Sequence, residues 1–259
     1  MRTVFFGAND LGYQCCERLL ERGENLVGLF TIPREFRISY SPDAPVTNVL
    51  FRDFHELGSR YRIPVVDVTG KMASHTDAVR ELKPDLIVVI GWYYMIPRTI
   101  RELASKGCVG IHASLLPLYR GGAPLVWAMI NGEREAGVTL FHFADGVDDG
   151  DVIAQKSFPI EATDTIRELL GKATRASVEI AEEYVPRIAA GTALRTPQDH
   201  SRATVVPQRN PADGLIDWSW DAERIDRFIR AQTRPYPGAY TVIGDKRVTI
   251  WSADVCAAE

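Results

Sequence analysis

Residues 2–31 of this 259-residue chain run apolar strand, turn, amphipathic helix, apolar strand, and that order leaves little choice of architecture. Arg2-Thr-Val-Phe-Phe6 reads as a strand and Gly7-Ala-Asn9-Asp10 as a turn. Residues 11–22 carry one apolar helical face, and residues 25–31 make the next strand. Two strands joined through a helix in so few residues lie parallel, with a right-handed crossover. The alternation continues with helices at 75–82, 97–105 and 123–131 and strands at 85–91, 109–112 and 137–143. Leu86-Ile-Val-Val-Ile90 has no polar alternation, as expected of a strand covered on both faces. The first half is therefore expected to be an open, mainly parallel twisted α/β sheet with helices on both faces. Ligands of such sheets bind beyond the carboxyl ends of the strands. Asn9, the 92–94 stretch and His112 all fall at such ends.

The second half reads differently. Residues 165–190 form one long amphipathic helix, with a start signal at Thr163-Asp164 and a stop at Gly191. Residues 196–209 are polar and irregular, residues 222–232 a short helix, and Pro235-Tyr-Pro-Gly238 turns the chain into a hairpin, 239–243 and 247–251, around Gly244-Asp245. We expect a catalytic α/β domain at 1–195 and, at 196–259, a linker, a short helix and a small β-hairpin subdomain. One hairpin face (Tyr240, Val242, Val248, Ile250) is apolar and suits a core edge or a second copy, so a homodimer is the expectation.

Composition removes several classes of function. A net charge of −4 does not suit a nucleic-acid partner, which needs clustered Lys and Arg. No leader segment is read, and no apolar run approaches the roughly 18 residues of a membrane span, so a cytoplasmic protein with no membrane contact is expected. Cys15, Cys16, Cys108 and Cys256 lack metal-ligand spacing. The Gly7–Gly12 spacing lacks the glycines of a dinucleotide fingerprint and the Lys of a phosphate loop.

Two motifs carry the chemistry: His112-Ala-Ser114-Leu-Leu-Pro117-Leu-Tyr-Arg120-Gly121-Gly122-Ala123-Pro124, and Asp145-Gly-Val147-Asp148-Asp149-Gly150. Taken singly, a histidine at a strand end is more often structural than catalytic, and an Asp-rich loop can be turn chemistry or a cation site. The calcium-loop spacing and its closing Glu are missing here. Their order and spacing together resemble the folate-dependent formyltransferases, whose signature is Asn-x-His-x-Ser-Leu-Leu-Pro followed by an aspartate in Asp-x-Gly. The similarity extends over nearly the whole chain, through Gln208-Arg209-Asn-Pro-Ala-Asp213-Gly-Leu-Ile-Asp217-Trp218 to Pro235-Tyr-Pro-Gly238-Ala-Tyr240.

That resemblance implies transfer of a formyl group from 10-formyltetrahydrofolate to an amine, without a metal. His112 would be the general base and Asp148 the carboxylate that orients it. Gly110 stands where the family has its asparagine, whose amide holds the formyl oxygen. Losing such a donor costs about 2.7–4 kcal/mol. Replacements would be Ser114, a Tyr93 or Tyr94 hydroxyl, a backbone N–H or a water. Gly91, Trp92, Tyr93, Tyr94, Met95 and Ile96 match the segment that holds the pterin. Arg120, Gly121, Gly122, Ala123, Asp145 and Val147 match the other walls of the folate pocket.

For the acceptor, the resemblance is strongest to the sugar N-formyltransferases, which act on nucleotide-linked amino sugars. The tRNA enzymes of the family carry a basic insertion after the second strand, whereas Thr31-Ile-Pro-Arg34-Glu-Phe-Arg37-Ile-Ser-Tyr40 is mixed in charge. Asn9, Tyr40, Arg209 and Trp218 are the substrate candidates, with Arg34, Arg37 and Arg234 as further cations for a diphosphate. The alternatives are a methionyl-tRNA formyltransferase-like enzyme, or a folate- or sugar-binding homologue weakened in catalysis by Gly110.

Overall fold

A computed structural model describes residues 1–38 and 41–256. The chain begins with β1 (Thr3–Phe6), α1 (Asp10–Glu21) and β2 (Leu26–Thr31), the unit expected from the sequence. It continues through a hairpin of β3 (Glu35–Ile38) and β4 (Ser41–Thr47), then α2 (Phe54–Tyr61), β5 (Val65–Asp67), α3 (Thr76–Glu81), β6 (Leu86–Ile90), α4 (Arg98–Arg101) and β7 (Cys108–His112). A two-residue β8 (Arg120–Gly121) leads into α5 (Pro124–Ile130), β9 (Glu135–His142), β10 (Val152–Pro159) and the long α6 (Ile166–Ala190). After β11 (Val205–Val206) come α7 (Ala222–Gln232) and the closing hairpin β12 (Ala239–Ile243) and β13 (Lys246–Ile250).

The central sheet has the order β10-β9-β7-β6-β1-β2-β5. Its strands from β5 to β7 are all parallel, while β9 runs antiparallel to β7 and β10 antiparallel to β9. The order reverses between β1 and β6, so the crevice at such a switch point opens beside the carboxyl ends of these strands. Successive side chains take opposite faces, and each face has its own core. Phe5, Val88 and Val109 pack with α1 and α6, whereas Phe6, Ile87, Val89 and Cys108 pack with Phe30, Ile96 and Ile100.

Local chemistry explains the helix ends. Asn9 caps α1 by accepting from the Gly12 N–H at 3.0 Å. Thr165 and Glu168 form a capping box on α6, and Gly191 ends that helix in the left-handed region at φ 72°. Arg18 of α1 donates two 2.9 Å bonds to Glu182 of α6, pinning two helices that share one face of the sheet.

Several segments depart from the sequence expectation. In the closing hairpin Tyr240 pairs with Thr249 and Val242 with Arg247, so Tyr240 and Val242 take the opposite face from Val248 and Ile250 and the expected single apolar face is split. The helix expected over 97–105 is only α4, because Leu103 N–H bonds back to Ile100, tightening the turn and ending the spiral. The antiparallel edge strand β10 and the β3–β4 hairpin were not anticipated. β10 alternates poorly, whereas β3 alternates strictly but is only four residues long. Residues 196–208, expected as linker, lie against the first half, with β11 parallel to β8. Tyr40 lies outside the described residues.

Gly12 sits where α1 crosses the end of β6, and a Cβ there would stand 2.2 Å from the Ile90 carbonyl oxygen. Gly12→Ala should lower unfolding stability by about 1–3 kcal/mol, the range for overpacking, read by urea denaturation. A second test concerns His142 at the end of β9. Burial pushes its imidazole down to about 4, and Arg195 adds to the effect. The unfolded chain then binds this proton first, so stability should fall as pH drops from about 6.5 to 4. His142→Gln should flatten that slope in denaturation midpoints measured across the window.

Candidate active site

β7 delivers Gly110 and His112 to one face of the sheet, two residues apart. The His112 Nε2 lies 2.7 Å from the Tyr119 carbonyl oxygen. A carbonyl can only accept, so Nε2 carries the hydrogen and Nδ1 is the nitrogen free to take a proton. That Nδ1 faces Asp148 Oδ2 at 3.5 Å. The structure thus brings together the expected histidine and aspartate, and adds Tyr119, whose carbonyl sets the tautomer. The sequence offered no signal for a backbone partner of this kind.

Both flanking loops are held in unusual backbone conformations. Tyr119, Ala123 and Asp148 have φ of 57°, 51° and 50°. Each such non-glycine residue costs on the order of 1–3 kcal/mol unless its surroundings enforce it. Here they do. The Gly121 N–H donates to Asp148 Oδ2 at 2.9 Å, and the Tyr119 N–H donates to Thr204 Oγ1 at 2.8 Å. Arg120 N–H bonds the Thr204 carbonyl and Gly122 N–H the Val206 carbonyl. A Cβ on Gly121 would meet the Val206 oxygen at 2.3 Å, and one on Gly122 would meet Gln208 Cα at 2.4 Å. These glycines are therefore needed where the 204–208 segment lies against the loop. Ala123 caps α5 with Pro124 in its first turn.

The hydroxyls expected as replacement donors are already in use. Ser114, buried, donates to the Leu118 carbonyl at 2.6 Å, and its own carbonyl accepts from Thr139 Oγ1. Tyr93 donates to Asn48 Oδ1 at 2.8 Å and Tyr94 to the Arg37 carbonyl at 3.0 Å. At Gly110, a Cβ would come within 2.4 Å of the Phe143 ring and 2.7 Å of the Val89 carbonyl oxygen. Phe143, stacked on Phe141 at 5.2 Å, fills the volume of a side chain at position 110. A glycine inside a strand is itself the sequence signal of such a close approach, but it does not say what approaches.

The 91–96 segment and the 145–149 loop carry the remaining cofactor candidates. Gly91, at φ 66°, leaves no room for a Cβ, which would lie 1.9 Å from Asn9 Oδ1. Asn9 is thus occupied in capping and in packing beneath Gly91. Trp92 meets Phe6 edge-on at 5.4 Å, Ile96 is buried in the core, and Met95 and Val147 are exposed. Asp145 pairs with Arg101 at 2.6 Å, and the hydrogen bond from that guanidinium holds its carboxyl below the usual range. Among the described residues, Trp92 Nε1 and Asp149 Oδ1 are buried without a hydrogen-bond partner. A buried polar atom left so is costly.

Two substrate candidates turn elsewhere. Arg209 lies over the Trp127 ring at 4.7 Å and donates to the Asp213 carbonyl and Gln232 Oε1, so its charge serves the joint between α5 and α7. Burial pushes its pKa down. Trp218 is 58% exposed and donates from Nε1 to Thr241 Oγ1 of the closing hairpin.

The geometry at position 110 generates a test. Gly110→Asn should lower stability by about 1–3 kcal/mol, because its Cβ enters the Phe143 ring. Adding Phe143→Ala should recover part of that loss in denaturation midpoints. Equal stability of Gly110→Asn and the parent chain would contradict this packing.

Residues 67–185 match the formyl transferase domain and residues 209–259 the formyl transferase C-terminal domain. The methionyl-tRNA formyltransferase of Citrifermentans bemidjiense is 35% identical over 97% of this chain and 77% of its own length. A sugar N-formyltransferase from Shewanella sp. FDAARGOS_354 superposes with a TM-score of 0.75 at 16% identity, covering 99% of both chains. The N-formyltransferase from Helicobacter canadensis, solved with folinic acid and dTDP-3-aminofucose, gives 0.72 at 19% identity, over 94% of this chain and 84% of its own. With a histidine and an aspartate facing each other at the strand ends of this sheet, and similarity at that level over almost its full length, the chain belongs to the formyltransferase family.

Proposed function

We propose that the protein transfers a formyl group from 10-formyltetrahydrofolate to the amine of a nucleotide-linked amino sugar, as a cytoplasmic enzyme. The observation that carries the chemistry is the pairing of His112 Nδ1 with Asp148 Oδ2 at 3.5 Å, with Nε2 already committed to Tyr119. When bound, 10-formyltetrahydrofolate supplies the formyl group. An amine attacks only as its free base; His112 Nδ1 would take the proton it loses and return it to the tetrahydrofolate nitrogen as the formyl C–N bond breaks. The Asp148 carboxylate stabilises the imidazolium so formed and keeps it from drifting. The loops at 91–96 and 145–149 would hold the folate, with Trp92 Nε1 as a donor and Asp149 Oδ1 as an acceptor for the edge of its ring. With the Ser114, Tyr93 and Tyr94 hydroxyls engaged inside the protein, backbone N–H groups or a bound water take the part of oxyanion donor.

The sugar acceptor is supported by the ligands named for the Helicobacter canadensis enzyme. It is supported also by charge. The insertion after β2 contributes Arg34 and Arg37 alongside Glu35 rather than a basic run, and the chain as a whole carries −4. No helix among the described residues is long and apolar enough to cross a membrane. A second reading, a methionyl-tRNA acceptor, is favoured by the 35% identity to an enzyme of that name.

The deciding assay is tetrahydrofolate release from 10-formyltetrahydrofolate with dTDP-3-aminofucose, other nucleotide-linked amino sugars, and charged initiator tRNA, each product weighed by mass spectrometry. Release dependent on an amino sugar, with the gain of one formyl group, is the expected result. Release with tRNA alone, weakening steeply with salt, would transfer the assignment to the second reading. Folate binding without turnover on any acceptor would instead mark a binding protein. His112→Ala and Asp148→Asn should each lower turnover at least about a hundredfold with the fold intact. Near-normal turnover in either would remove it from the proposed role.

A further inference from the structure

Gln198 lies in the segment after α6, 7% exposed, and every hydrogen-bonding valence of its amide is used. Its Oε1 accepts from Arg120 Nη2 at 2.7 Å and Nε at 3.2 Å. Its Nε2 donates to the Asp148 carbonyl at 2.9 Å and to the Gly150 carbonyl at 2.7 Å. One side chain thus spans both loops of the site from beneath. It grips the backbone on either side of the turn that holds Asp148 in the left-handed region. Gly150, the second anchor, cannot move toward β9, because even a Cβ there would lie 1.8 Å from the His142 carbonyl oxygen. Arg120 is itself buried and pairs with no carboxylate among the described residues; besides Gln198 it meets His200 Nδ1 at 3.1 Å.

Such a fully satisfied amide is an accurate spacer. It fixes a donor pair and an acceptor pair on opposite sides of one rigid plane, and it adds no charge to a crowded site. Among the described residues, no other hydrogen bond reaches the Asp148 carbonyl. We propose that Gln198 is a positioning residue for the Asp148 carboxylate, fixing its distance from His112 Nδ1 through the backbone of residues 148–150. This rests on the reading of His112 and Asp148 as the working pair. Gln198 itself does not face that pair: the ring of His112 meets Asp148 on one nitrogen and Tyr119 on the other.

A carboxylate beside an imidazole favours its protonated form, so a carboxylate allowed to drift away lowers the ring's titration midpoint. The test is therefore a histidine NMR titration on the full chain, with the His112 signal assigned by its loss in His112→Ala. Gln198→Met removes all four bonds at nearly constant volume and without charge. It should move the His112 midpoint in the same direction as Asp148→Asn. In the formyl-transfer assay with the active acceptor of the panel above, kcat should fall at least tenfold while KM for 10-formyltetrahydrofolate stays within twofold. An unchanged midpoint in a folded Gln198→Met chain overturns the proposal.

Should Gln198→Met not fold, Gln198→Glu keeps both bonds from Arg120 and turns the donor to Asp148 and Gly150 into an oxygen that repels their carbonyls. It should lower kcat in the parent chain and add less than a twofold loss to Asp148→Asn. An equal loss in both backgrounds overturns the proposal. The two assignments fail separately. A shifted midpoint with full turnover in His112→Ala removes the base assignment and keeps the positioning role. An unchanged midpoint with a dead His112→Ala does the reverse.

Discussion

The 2.9 Å bond from the Gly121 amide to the Asp148 carboxylate joins two loops that arrive from different parts of the sheet, one after β7 and one after β9. It holds one oxygen of that carboxylate directly, where Gln198 acts through the backbone. Much of the surrounding architecture serves that one contact. Thr204 and Val206 hold the first loop from outside, and Gly121 and Gly122 lack side chains so that this backing segment can approach. The arrangement explains why Tyr119 and Asp148 tolerate a left-handed backbone: each is held by neighbours distant in sequence.

The electrostatics follow the same economy. His112 meets a carbonyl through Nε2 and a carboxylate through Nδ1, so each ring nitrogen faces an acceptor. Other polar groups nearby are closed off. The hydroxyls of Ser114, Tyr93 and Tyr94 are satisfied within the protein, and Asp145 is neutralised by Arg101. On the two outer loops, the Trp92 indole N–H and one Asp149 carboxylate oxygen are buried without a partner.

Much of this was readable from residues alone. The parallel sheet follows from apolar runs such as Leu86-Ile-Val-Val-Ile90 separated by helical segments, and the long α6 from its start and stop signals within one residue of the observed ends. The pairing of His112 with Asp148 followed from motif order. Illegible were the features made by backbone atoms and by contacts across the fold. The Tyr119 carbonyl, the grip of Thr204 and Gln198, and the Phe143 ring filling the place beside Gly110 have no local pattern. Arg209 shows the opposite failure. An arginine near an expected site looks like an anion ligand, yet here it stacks on Trp127 and holds a joint. Residue type gave its charge, but only packing decides where that charge is spent.

The parallel pairing of β11 with β8 has a consequence for how this protein can be divided. The chain looks like a sheet domain followed by an appendage, and a boundary near residue 195 suggests two exchangeable modules. But the strand that steadies the loop beside His112 comes from beyond that boundary. A graft that moved the sheet domain without residues 198–208 would carry over the scaffold and leave the reactive pair unsupported. The seam between β8 and β11 thus ties the segment after α6 to the loop beside His112.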